Sequence, residues 1–421
     1  MKTKAVRLYG KEDLRLEEFE LPEIREDEIL ARVVSDSVCM SSYKAAEQGS
    51  AHKRVPDNIS THPVIIGHEF CGELIQVGAR WKNRFVPGSR FSIQPAMNLP
   101  SDPYAAPGYS YEYIGGAAQY IIIPNEVMES GCLLPYNGDA FFYGSLSEPM
   151  SCIVGAFHAN YHTSGGSYVH TMGIRRGGNM AILAGVGPMG LGAIDYAIHT
   201  DLKPGLIVVT DIDDARLQRA QSLLTPEEAE RNGVRLVYIN TAKEADPVAR
   251  LLSMTDGKGY DDVFVFAPVK PVVEQGDAIL GRDGCLNFFA GPLDPAFSAM
   301  FNFYNVHYAS THVVGTSGGN TDDMLESIRM MENGQVNPAG MITHVGGLDS
   351  VVETTLNLPK IPGGKKLIYT GISMPLTAIA DMEQLGGKDP LMAELAEITK
   401  AASGLWCAEA EKLLLSRAVK I

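Results

Sequence analysis

Between residue 3 and about residue 35, apolar and polar positions alternate. Ala5, Arg7, Leu14 and Leu16 mark the first half, and Ile29-Leu30-Ala31-Arg32-Val33-Val34-Ser35 the second. A period of two puts successive side chains on opposite faces, so this stretch predicts short antiparallel strands, divided at Pro22, of a β-rich first domain. Cys39 follows at a strand-to-loop exit, and the residues after it predict a short helix with Ser41 or Ser42 near its cap. Residues 49–63 have loop composition and carry His52, Lys53 and Arg54. The apolar run Val64-Ile65-Ile66 ends at Gly67, presents His68 and Glu69, and gives way to a strand-like run over 71–77 closed by Gly78. A turn near Pro87-Gly88 precedes another strand, residues 94–116 form an irregular lobe rich in Pro, Gly and Tyr, and 117–123 predict a further strand. Residues 146–152 introduce a helix that runs past Phe157, with Glu148 directly before Pro149.

Beyond about residue 155 the pattern becomes an alternation of buried strands and helices. Strands are predicted at 179–184, 206–211, 235–240, 262–267, 285–290 and 312–315, with helices at 191–199 and 215–224. Such a βαβ series builds a parallel sheet covered on both faces. After Gly319 the order is helix 322–333, strand 341–345, helix 348–356, strand 366–370, and a mostly helical tail from about 374 to 421. The predicted organisation is a β-rich domain over 1–152, completed by 320–421, with a nucleotide-type α/β domain over 153–319 inserted.

Composition narrows the function. A chain of 421 residues with 45% hydrophobic and 20% charged positions describes an ordinary globular protein with room for two cores. A formal charge of −15 argues against nucleic acid or anionic membrane as partner. No signal-peptide core follows Met1, and no apolar run is long enough to span a membrane. Cys39, Cys71, Cys132, Cys152, Cys285 and Cys407 are scattered without a C-x-x-C pair, which predicts a reducing, cytoplasmic setting without a disulfide framework.

Two constellations carry chemistry. Gly185-Val186-Gly187-Pro188-Met189-Gly190 lies between a predicted strand and a helix, and Asp211 ends the next strand 21 residues later. The first glycine allows the tight turn, the second lets a pyrophosphate approach, and the third packs helix on strand. Free N–H groups at the helix start would receive phosphates. Asp211 would bond ribose hydroxyls and repel a 2′-phosphate, which favours NAD(H). Arg216, five residues on, softens that preference and leaves NADP(H) open. Cys39, His68, Glu69 and Glu148 are candidate metal ligands, since zinc takes thiolate, imidazole and carboxylate and a catalytic site keeps one position open. Each alone has a structural reading: a buried cysteine, a hydrogen-bonded histidine, a carboxylate at a helix start.

Gly67-His68-Glu69-x-x-Gly72-x5-Gly78 resembles the signature of the zinc-dependent medium-chain alcohol and polyol dehydrogenases. Cys39 before it, and Glu148-Pro149 and the glycine turn after it, keep that family's order and spacing over about residues 1 to 372. The resemblance implies a GroES-like β-rich catalytic domain plus a Rossmann domain, a homodimer or homotetramer, and one catalytic zinc held by Cys39, His68 and either Glu69 or Glu148. Glu148 is preferred, with Glu69 exchanging or supporting. It further implies that Ser41 hydrogen-bonds the substrate oxygen, and that Lys44 stands where many members carry a proton-relaying histidine. The family's second, structural zinc would need cysteines within 94–116. That lobe has none, so no structural zinc is expected.

The N-terminal Met1-Lys2-Thr3-Lys4-Ala5-Val6-Arg7-Leu8-Tyr9-Gly10, the Tyr-rich lobe, Pro362-Gly363-Gly364-Lys365-Lys366-Leu367-Ile368-Tyr369-Thr370 and the long tail resemble the sugar-phosphate branch, the L-sorbose-1-phosphate reductases. This implies hydride transfer between a nicotinamide cofactor and a ketose phosphate, L-sorbose 1-phosphate giving D-glucitol 6-phosphate. His52, Lys53 and Arg54 would then hold the phosphate through charge-assisted hydrogen bonds, although the same loop also reads as solvated surface. A sorbitol-type dehydrogenase of unphosphorylated polyols is the neighbouring alternative. A non-catalytic nucleotide binder is the remote one, since it would need none of the metal candidates.

Overall fold

The computed structural model describes residues 1–165 and 167–421. Its contacts divide the chain into two units, Met1–Pro149 with Asn320–Asn333 and Pro338–Ile421, and Met150–Gly319 with Gly334–Asn337.

The first unit is built on the strand Ile29–Val38, buried at nine of its ten positions. One edge is taken by Phe70–Val77, antiparallel. The other edge is shared: residues 29–32 pair with Tyr120–Ile123, and residues 35–38 pair with Lys365–Tyr369. The eight-stranded sheet runs Thr377–Ala378, Ile342–Gly347, Lys365–Tyr369, Ile29–Val38, Phe70–Val77, Arg90–Ile93, Leu133–Pro135, with Tyr120–Ile123 on the shared edge. A smaller sheet joins Lys2–Gly10 to Asp13–Glu20 and Val64–Ile65. The strand from the far end of the chain thus lies beside the strand that leads into Cys39.

The chain turns at Gly67 with φ +92°, and a Cβ there would lie 2.4 Å from an Asp36 carboxylate oxygen and 2.8 Å from the Ala117 nitrogen. Only glycine meets both demands, and this turn aims His68 and Glu69. The helix Met40–Gln48 begins immediately after Cys39, which itself occupies the N-cap position without a side-chain cap bond. Ser41 and Ser42 therefore stand in the first turn instead of capping it, which frees their hydroxyls for other partners.

The helix around Glu148 also differs from expectation. It runs Phe141–Ala159, starting five residues before the predicted entry, and Pro149 is internal. Glu148 is therefore not a first-turn carboxylate. The tail contributes the helices Met382–Leu385, Pro390–Ala401 and Ala408–Arg417. Met382, Leu395, Trp406, Ala410 and Leu414 from it join Leu146, Tyr369 and Val345 in one buried apolar cluster.

The second unit is a six-stranded parallel sheet ordered Arg235–Asn240, Leu206–Asp211, Asn179–Leu183, Tyr260–Val265, Leu280–Phe288, His312–Val314. Leu206–Asp211 is buried along its whole length, as a central strand covered on both faces requires. The helix Pro188–His199 starts where Asn179–Leu183 has turned, with Gly187 at its N-cap and Pro188 in its first turn.

Candidate active site

Cys39, His68 and Glu69 bring a thiol sulfur, a ring nitrogen and a carboxylate oxygen within 4.8 Å of one another, the one such group of three among the described residues. His68 is 4% and Glu69 1% exposed. The Ser41 hydroxyl lies 3.0 Å from the Cys39 sulfur and 3.2 Å from His68 Nε2, and the Ser42 hydroxyl lies 3.3 Å from His68 Nδ1. One helical turn thus addresses both nitrogens of the imidazole. Burial lowers the pKa of His68 against the opposing charges of Glu148 and Glu69, so the ring is neutral and able to ligate.

Glu69 is fully engaged. Lys365 Nζ donates to its Oε1, and the Ser37 hydroxyl to its Oε2. Burial alone would raise its pKa, but the Lys365 and His68 charges and these two hydrogen bonds hold it below the ordinary value. Lys365 is shifted the other way. Burial pulls it down, yet Glu69, Cys39 and Glu148 outweigh burial and raise it. Glu148 stands outside the trio but acts on both His68 and Cys39. Burial first, then the charges of Glu69 and Cys39, push it up to about 7. Burial and Glu69 likewise raise the Cys39 thiol. Three acidic groups therefore share a buried space with the ammonium of Lys365, which is already bonded to Glu69. A divalent cation would relieve that excess, and thiol, imidazole and carboxylate are the donors zinc takes. The residues present fit the metal.

Tyr109 was not among the residues expected here. Its hydroxyl lies 3.3 Å from His68 Nε2, and its ring stacks against His52 at 5.8 Å with Arg54 5.5 Å above the ring centroid. The basic loop is therefore tied to the metal candidates through one aromatic ring. Lys53 instead sits over Tyr104, at 5.3 Å. His52 is pushed down to about 4 by burial and then by the charges of Arg54, Lys53 and Lys44, so three cations surround one neutral imidazole. Nothing in residues 94–116 marked Tyr109 beyond the abundance of tyrosine. Lys365 and Ser37 lacked any local signal for a site.

In the second unit the glycine turn has the predicted form. A Cβ on Gly190 would lie 2.1 Å from the Gly185 carbonyl oxygen, so helix and turn are in backbone contact. Val186 is buried, and Pro188 and Met189 open the helix. Asp211, 6% exposed, accepts the Ile212 N–H at 2.9 Å and the Asp213 N–H at 3.1 Å on Oδ1. Arg216 reaches within 3.9 Å of that same oxygen and lies beside Gly187.

Residues 25–130 match the family described as the alcohol dehydrogenase GroES-like domain, and residues 188–333 the family described as zinc-binding dehydrogenase. The chain is 51% identical over 419 residues to L-sorbose 1-phosphate reductase of Klebsiella pneumoniae, covering 100% of this chain and 98% of the relative. It belongs to the zinc-dependent medium-chain alcohol and polyol dehydrogenases. This dehydrogenase is also 54% identical over 413 residues to mannitol-1-phosphate 5-dehydrogenase of Aliivibrio fischeri, covering 98% of this chain and 97% of the relative. Its fold matches that of 2R,3R-butanediol dehydrogenase from Bacillus subtilis with a TM-score of 0.68 at 22% identity, over 87% of this chain and 99% of that one. An oxidoreductase with a GroES-like and a Rossmann-like domain is what the comparisons establish. No helix among the described residues is long and apolar enough to cross a membrane.

Proposed function

We propose that this dehydrogenase interconverts a ketose phosphate and a polyol phosphate with NAD(H), using one zinc held by Cys39, His68 and Glu148. The observation that carries the phosphate is the cationic cluster around His52, tied through Tyr109 to His68. No ion pair engages Lys53 or Arg54 among the described residues, although the chain as a whole is acidic. Phosphate oxygens are the partners such a cluster selects. Two relatives named for sugar phosphates support the same reading.

When bound, zinc supplies Lewis acidity toward the substrate oxygen. The chain supplies the rest. Ser41 presents a hydroxyl beside both Cys39 and His68 and donates its proton toward that oxygen in the reduction direction. Lys44, one turn further along the same helix, passes or screens charge at the exit of that path. Glu69 is held by Lys365 on one oxygen and Ser37 on the other, a pairing that favours a supporting role beside the ligands. The Gly185–Gly190 turn and the helix start at Pro188 receive the dinucleotide phosphates, and Asp211 the ribose.

The short path from Arg54 through Tyr109 to His68 suits a phosphate on the carbon beside the carbonyl, as in L-sorbose 1-phosphate. It suits less well a phosphate four carbons away, as in oxidation of mannitol 1-phosphate at carbon 5. The test is an NADH- and NADPH-coupled screen of free and phosphorylated ketoses on protein of measured zinc content. L-sorbose 1-phosphate should be preferred over fructose 6-phosphate and over free sorbose. Arg54→Ala should raise KM for the phosphorylated substrate by about 10- to 100-fold, the worth of one charged hydrogen bond, and leave free ketoses unchanged. Equal turnover of free and phosphorylated sugar would sink the phosphate reading.

A further inference from the structure

The tail that follows Ser373 lies outside both family matches, and the butanediol dehydrogenase fold leaves about an eighth of this chain uncovered. The relatives named for sugar phosphates cover 98% of the chain or more. One residue of this tail reaches the start of the helix that carries Glu148. Glu411, 3% exposed on the helix Ala408–Arg417, accepts the Phe141 N–H at 2.7 Å on Oε1 and the Phe142 N–H at 2.9 Å on Oε2. These are the first two residues of Phe141–Ala159, whose leading N–H groups have no partners inside the helix. The Tyr369 hydroxyl donates to Oε2 at 2.8 Å and in turn accepts the Trp406 indole N–H at 2.7 Å, with both rings fully buried.

The helix between this cap and Pro149 is held along its length. Gly144 is pressed so close to the Cys71 side chain that a Cβ would lie 2.3 Å from its sulfur. The Ser145 hydroxyl meets Ser35 at 3.2 Å, and Ser147 meets Ser92 at 2.9 Å. Pro149 has no N–H to return to the Ser145 carbonyl, so helical continuity is weakest just past Glu148. The stretch from Phe141 to Glu148 is thus a two-turn rod, seated by a carboxylate at one end and loosened by proline at the other. Glu148 lies seven residues from Phe141, on the same side of the helix.

We propose that the C-terminal segment is a built-in clamp on the metal site, in which Glu411 acts as a positioning residue that sets the height of Glu148 opposite Cys39 and His68. The charge of Glu411 suits the positive end of the helix, and its two oxygens fix both rotation and rise of the first turn. The clamp rests on Glu148 being a zinc ligand, so its test separates the two ideas. Glu411→Gln keeps the shape but sets an amide N–H₂ against a backbone N–H. Leu414→Ala, in the same helix and also fully buried, destabilises the tail by packing alone. Zinc release to a colorimetric chelator is read at a temperature where circular dichroism finds all variants folded. Glu411→Gln should release zinc at least tenfold faster and lose kcat at least fivefold with an unchanged KM for NADH, while Leu414→Ala lowers Tm without either effect. Equal release from both variants overturns the proposal. Should Glu411→Gln not fold, Tyr369→Phe removes one of the three donors, and release intermediate between wild type and tenfold is expected; no change overturns the clamp. If the wild type carries no zinc, the ligand reading fails by itself. Amide exchange over residues 141–150 of the metal-free chain then still tests the clamp. Exchange should speed up in Glu411→Gln and not in Leu414→Ala, and identical profiles reject it.

Discussion

Lys365 and Glu69 are 6% and 1% exposed at their side chains, and each is the other's charge partner. Removing one member of a buried ion pair costs more than the pair contributes, because the remaining charge stays desolvated. Lys365→Met should therefore destabilise the first unit by about 3–5 kcal/mol in urea unfolding, and the double variant Lys365→Met with Glu69→Gln should recover most of that loss. Additive losses would mean that the two groups act separately. At this scale the chain was legible where local order carries the chemistry. Cys39, Ser41 and His68 lie together because a strand end, a helix start and a glycine turn meet there, each a local feature of the chain although spacing alone does not make them converge. Lys365, Ser37 and Tyr109 were not legible, since their roles come from strand pairing and lobe packing across as many as 296 residues.

Among the elements, periodicity was a good guide wherever the tertiary setting agreed with it. The strands at 206–211 and 235–240 lie where the apolar runs put them, while the helix after the glycine turn begins at Pro188, three residues ahead of the predicted Leu191. The helix around Glu148 departs from its local pattern because proline is ordinarily an entry signal, whereas the start of this helix is capped from residue 411. Another element predicts a pH response. His199 closes the helix Pro188–His199 and bonds the Asp195 carboxylate through Nδ1 at 2.9 Å. That hydrogen bond, against burial, raises its pKa above the ordinary value. A raised folded pKa means the contribution is complete below the unfolded value near 6.5 and is lost as pH climbs through the folded value. A cation at a helix C-terminus contributes about 1 kcal/mol. Wild type should therefore lose about that much unfolding free energy between pH 6 and a pH above the folded value, and His199→Gln should not. Parallel stability profiles for the two proteins would show that the imidazolium contributes nothing.

For the whole molecule, the decisive packing is that of the helical tail. Trp406, Leu395, Ala410 and Leu414 are completely buried against Tyr369, Leu146 and Val345 of the first unit, so within one chain the tail completes a core. Deleting residues 374–421 would expose that cluster and strip Tyr369 and the Phe141 helix of Glu411. Burying a large apolar side chain contributes about 1.5–3 kcal/mol, so losing several of them is comparable to the ~5–15 kcal/mol margin of an ordinary domain. The truncated chain should express with a first unit that binds a hydrophobic dye, unfolds without a cooperative transition and retains no zinc. The second unit consists of Met150–Gly319 with Gly334–Asn337, where the Asn337 N–H bonds Asp195 at 2.7 Å, and includes no residue of the tail. NADH titration of the truncated protein should therefore still show binding within a few-fold of wild type, with turnover abolished. A truncated enzyme that kept zinc and turnover would mean the core closes without its last three helices, and that Glu411 seats nothing the metal site needs.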